Sequence, residues 1–105
     1  MRKVTRETVK AFLNGKTKSM GNTISTGNAL LLHGHEIATR HDDGKISISM
    51  CGWGTVTTRE RLNGLLRMVG ASFSISQRNY SQCLVNHADL AIIKHISEHE
   101  HIHIN

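Results

Sequence analysis

The segment from Ala29 to Met50 constrains this chain more than any other. Two strand-like runs, Ala29–Arg40 and Lys45–Met50, are joined by His41-Asp42-Asp43-Gly44. Asp and Gly tolerate the positive φ of a type I′ turn, so the join predicts a β-hairpin. Ile46, Ile48 and Met50 alternate with Lys45, Ser47 and Ser49. That period of two predicts one buried and one wet face.

Helical signals flank the hairpin. Near the start, Thr5 is expected to cap a helix over roughly residues 5–14. Glu7 falls in its first turn, Val4 and Val9 are placed as a hydrophobic staple, and Asn14-Gly15 suits a left-handed ending. After the break at Gly52-Trp53-Gly54, Thr57-Thr58-Arg59-Glu60 reads as a capping box. Leu62, Leu65, Leu66 and Val69 then repeat at helical spacing before Gly70. Residues 15–28 read as a loop with a short edge strand at 22–26. Phe73–Ser76 and Gln82–Asn86 form a second hairpin around a turn at 78–81. The predicted order is α-β-β-β-α-β-β, an α+β domain over 1–86 whose two helices cover one face of a small antiparallel sheet. Residues 87–105 form a C-terminal extension. A short helix at about 89–98 is expected there, with strand as the alternative, before a His-rich end.

With 105 residues and no proline, 38% apolar and 20% charged, the chain has the balance of one folded domain. Only four aromatics occur, Phe12, Trp53, Phe73 and Tyr80, so Leu, Ile, Val and Met must build the core. Cys51 and Cys83 are too few and too far apart for a disulfide framework and are expected to be reduced and packed. No signal peptide or membrane-spanning run is visible, which leads to a soluble cytoplasmic expectation. Net charge is +5. Residues 1–20 hold Arg2, Lys3, Arg6, Lys10, Lys16 and Lys18 against Glu7 alone, so the N-terminal end is a positive pole that favours encounter with nucleic acid or acidic protein surfaces.

Several short stretches together resemble a family of small uncharacterised proteins from tailed bacteriophages. They are Arg2-Lys3-Val4-Thr5-Arg6, Ala11-Phe12, Gly21-Asn22-Thr23, Leu32-His33-Gly34, Ile37-Ala38, Gly52-Trp53 and Thr57-Thr58-Arg59-Glu60-Arg61-Leu62-Asn63-Gly64. The resemblance covers roughly residues 1–86. Its most specific part is the Gly-Trp step into the Thr-Thr-Arg-x-Arg-Leu-Asn helix. Cys83 takes the place where such proteins carry a tryptophan, and the tail runs beyond their pattern. The resemblance implies a phage-encoded protein working in the host bacterial cytoplasm. It supplies no catalytic residues.

Candidate sites follow from residue type and spacing. Arg2, Lys3, Arg6 and Lys10 on the first helix, with Arg59, Arg61 and Arg67 on the second, are expected to form one basic surface for phosphates or an acidic groove. Trp53 is expected as a core anchor beneath the second helix, with an exposed contact for a partner as the alternative. His99, His101 and His103 are weak metal candidates because alternation would place three imidazoles on one strand face. His33 and His35, which would likewise share a face, could pair with Cys51 or Cys83 as a nucleophile only if the fold brought them together. No phosphate loop or dinucleotide motif occurs, and no cofactor is expected. The resulting expectation is a non-enzymatic phage accessory protein that binds and inhibits a host protein or nucleoprotein complex, such as a CRISPR effector. The alternative is a basic nucleic-acid-binding protein. No membrane partner is expected, and exposed strand edges leave a homodimer open.

Overall fold

The computed structural model describes residues 1–105. Helix α1 spans Lys3–Leu13 and is followed by strands β1 (Thr17–Met20), β2 (Thr23–Thr26), β3 (Ala29–Leu32), β4 (His35–Arg40) and β5 (Ile46–Ile48). Helix α2 (Val56–Met68) then leads to β6 (Phe73–Arg78), β7 (Ser81–Asn86), β8 (Ile92–His95) and β9 (Ile102–His103). The chain is an α+β fold with two more strands between the helices, and two more after them, than the sequence predicts. It also carries two sheets where one was expected: β1-β2-β3-β4-β5-β9, and β6-β7-β8. Every strand pair is antiparallel.

Tight turns account for the extra strands. His33 and Gly34 both take positive φ, the signature of a two-residue type I′ hairpin. They divide the predicted 29–40 strand into β3 and β4, with Leu32 opposite His35. His33 therefore sits in a turn and does not share a strand face with His35. At Asp42-Asp43-Gly44 the hairpin forms as expected but by a different turn. Only Gly44 has positive φ, and the His41 carbonyl accepts from Gly44 N–H at 2.9 Å, a three-residue loop closed by a glycine bulge. The type I′ geometry recurs at Asn79-Tyr80. Strand β2 is interior, because β1 pairs outside it and takes the edge.

Both helices end as the sequence indicates. Lys16 N–H donates to the Ala11 carbonyl and Gly15 N–H to Phe12; Ala71 and Gly70 repeat the pattern on Leu66 and Arg67. These are Schellman endings, with glycine in the left-handed position. The helix starts differ from expectation. Thr5 caps nothing: α1 begins after Arg2, and Thr5 is buried inside the helix. Thr55, not Thr57, caps α2 by accepting from Thr58 N–H at 3.2 Å. Glu60 is drawn to Thr5 and Arg61 instead of closing a capping box.

Helix α1 lies on β1, β2 and β3, while α2 packs beside α1 and against β4 and β6. Leu62, Leu65 and Leu66 of α2 meet Val9 and Phe12 of α1, Leu30, Ile37 and Ile48 of the larger sheet, and Ile75 and Leu84 of the smaller. One hydrophobic core thus draws on both sheets. Ser47 and Ser49 are as buried as their isoleucine neighbours, so β5 has no wet face. It lies between β4 and β9, and Ser47 Oγ bonds His41 at 2.8 Å.

The tail forms no helix over 89–98. Strand β8 adds to β7, and β9 crosses to pair with β5 in the other sheet, Ile48 opposite Ile102 and Ser47 opposite His103. Asn105 Oδ1 accepts from Ile46 N–H at 2.7 Å. No helix is long and apolar enough to cross a membrane.

Candidate functional site

The predicted basic surface divides into an exposed part and a buried part. Arg2 at the N-cap and Lys3, Arg6 and Lys10 on α1 are exposed, and Lys16 and Lys18 are exposed on the adjoining segment and β1. None of these six cations is in a salt bridge; the two ion pairs in the chain are Arg61–Glu60 and Lys94–Glu100. The positive pole predicted from residues 1–20 is thus exposed and free of ion pairs.

Of the α2 arginines, only Arg67 is exposed. Arg59 is half-buried and donates to the Gly54 carbonyl at 3.0 Å, to Gln77 at 2.9 Å and to Gln82 at 3.2 Å, tying α2 to the smaller sheet. Arg61 is 2% exposed and joins no surface. Its Nε donates to Thr23 Oγ1 at 2.9 Å, Nη1 to Thr5 Oγ1 at 3.0 Å and to the Glu60 carboxylate, and Nη2 to Asn22 Oδ1 at 3.2 Å. A guanidinium presents five fixed donors and must satisfy them when buried. Placed where α1, α2 and β2 meet, Arg61 finds partners on all three. Burial disfavours the Glu60 carboxylate, but hydrogen bonds from Thr5, Arg61 and Arg2 N–H, with the Arg61 charge, outweigh it and hold its pKa below the usual value.

Trp53 is 54% exposed and does not anchor the core beneath α2. The Gly52 and Gly54 on either side of it receive the tail. A Cβ on Gly52 would collide with the His99 imidazole, and one on Gly54 with the Glu98 carboxylate. Gly52 N–H also donates to the Glu98 carbonyl at 2.9 Å. Packing of the tail on this loop leaves the indole outside, against the His35 ring at 5.5 Å between centroids. Trp53 thereby forms one wall of a cleft of about 320 Å³, floored by Leu32, Ile37 and Met50 and rimmed by His33, His35 and Thr57. No sequence signal foretold this cleft, because its walls come from β3, β4, the loop after β5 and the start of α2.

The remaining candidates are dispersed. His99 lies on Gly52, His101 is exposed, and His103 faces His41 at 5.8 Å. No group of three or more His, Cys, Asp or Glu residues is placed to hold a metal ion. Both cysteines are free, with the Cys51 thiol 2.9 Å from the Glu36 carbonyl and the buried Cys83 thiol 3.4 Å from that of Ser76. Neither hydrogen-bonds a histidine.

The family described as Kyanoviridae Gp96 protein matches residues 1–102. The match therefore runs through β8 and reaches the first residue of β9, so most of the tail falls within the family's extent, not beyond it as the resemblance implied. No curated protein and no solved structure matches.

Proposed function

Because the chain belongs to the Kyanoviridae Gp96 family of phage proteins, we propose that it acts inside an infected bacterium by binding and blocking a host macromolecule, with an acidic protein surface as the partner of its positive face. One observation carries this reading: six exposed cations on α1 and its N-cap, β1 and the turn between them have no salt-bridged carboxylate. Apart from Lys10, which favourably meets the C-terminal end of the α1 dipole, these like charges repel one another, whereas together they accelerate encounter with an oppositely charged partner. Arg67 extends the same chemistry onto α2.

The test is capture from nuclease-treated host lysate with the full chain and with a Lys3→Glu/Arg6→Glu/Lys10→Glu variant. A stoichiometric host protein held by the first and lost by the second is the expected result. The reading fails if the variant retains the protein. It fails equally if the only ligand is DNA or RNA, bound with an affinity that drops steeply as salt releases phosphate counterions.

A further inference from the structure

We propose that the Trp53 cleft is a binding site for a single nucleobase. This inference is independent of the positive face and of the partner proposed for it. At about 320 Å³ the cleft sits at the small end of the ~300–1,000 Å³ range of small-molecule sites. One base with its sugar fits that space. The half-exposed indole offers a flat surface, and the buried floor of Leu32, Ile37 and Met50 removes water from beneath a ring laid against it. Base stacking on an aromatic side chain is sequence-tolerant because every base has a π-face.

The rim favours a heteroaromatic ring over a plain apolar side chain. Its hydrogen-bonding groups are poorly engaged within the protein. His35 and Thr57 make no side-chain hydrogen bond, and His33 has only a 3.5 Å contact with Asn22. By contrast Thr55 and the buried Thr58, also at the helix start, bond each other at 2.9 Å. Two imidazoles and a hydroxyl thus surround an apolar floor with donors and acceptors open. The ring nitrogens and exocyclic groups of a base match them, whereas a leucine or phenylalanine would leave them unpartnered.

Trp53 is the only tryptophan, so indole fluorescence of the full chain reports on this cleft alone. Adenosine, guanosine, cytidine and uridine would each be titrated, alongside p-cresol as a ring of similar width without nitrogen edges. Saturable quenching by at least one nucleoside is expected, weakened about fivefold in Thr57→Val, the loss of one hydrogen bond. By calorimetry, Trp53→Ala weakens the same nucleoside about tenfold or more, with circular dichroism confirming that both variants are folded. Comparing the matching monophosphate with a short oligonucleotide shows whether the base arrives free or on a strand. Failure of all four nucleosides to give saturable quenching overturns the proposal. So does p-cresol binding as tightly as the best nucleoside with Thr57→Val affecting neither, the behaviour of a pocket for a protein side chain.

Discussion

Arg61 replaces what would otherwise be apolar packing at the meeting point of α1, α2 and β2, so its removal leaves Thr5, Thr23 and Glu60 short of partners in the interior. Arg61→Met is expected to lower unfolding free energy by about 3 kcal/mol, read from urea midpoints. That is the lower end for breaking a buried pair, because the Glu60 side chain keeps 26% of its exposure. The same network sets a pH dependence. With the folded-state pKa of Glu60 below its unfolded value, the group contributes stability above the usual glutamate pKa of about 4.3, and that contribution disappears as pH falls through the folded value. Glu100, lowered by its hydrogen bond and ion pair with Lys94 at the surface, follows the same sign, so the Glu60 share is the acid-side slope that Glu60→Gln flattens. Gly64 carries a separate constraint. Glycine inside a helix costs about 1 kcal/mol against alanine, but a Cβ here would collide with Thr5 Cγ2. Thr5 is fully buried and hydrogen-bonded to Glu60 and Arg61, so it cannot turn away freely. Gly64→Ala is expected to lower the thermal midpoint, and Thr5→Ser, which deletes that methyl while keeping the hydroxyl, to restore most of the loss in the double variant.

At the scale of elements, β9 has two residues yet closes an edge of the larger sheet. Ile46 is held from both sides of its peptide group, donating to Asn105 Oδ1 and accepting from Ile104 N–H at 3.0 Å. Truncation after Glu100 is expected to speed hydrogen exchange at Ile46 markedly while leaving the α2 amides protected. Equal loss in both would mean that the tail supports the whole core and not one strand. Helix α2 and both long hairpins were legible in the sequence because their signals are local: leucine at helical spacing, glycine after it, alternation beside a turn. Strand β8 and strand β9 were not, because Ile92-Ile93 and Ile102-His103 become strands only by finding β7 and β5, and no local pattern encodes that distant pairing. The capping residues were misplaced for a related reason. Thr5 and Glu60 have the right types for caps, and a tertiary partner, Arg61, outbid the local one.

For the molecule as a whole, 35 Å along its longest axis exceeds the Debye length of about 10 Å at 0.1 M salt. Charges more than one such length from the α1 cations are therefore largely screened from them, and nearby groups set the local field. Association with the captured partner is expected to slow about tenfold or more as ionic strength rises from low to near-physiological, with a much smaller effect on dissociation. The exposure of Arg2, Lys3, Arg6 and Lys10 was readable, since cations spaced along one side of a short amphipathic helix stand away from its apolar face. Arg61, buried, departs from that pattern, and exposed Trp53 is its converse, with His99 and Glu98 seated on the glycines either side of it. The crossing of the tail from one sheet to the other has a consequence for how the protein is made. The sheet begun at Thr17 lacks the strand that covers β5 until Ile102 to Asn105 have emerged from the ribosome, so during synthesis β5 offers a bare flank to any neighbouring nascent chain, and its maturation waits on a segment translated long after it.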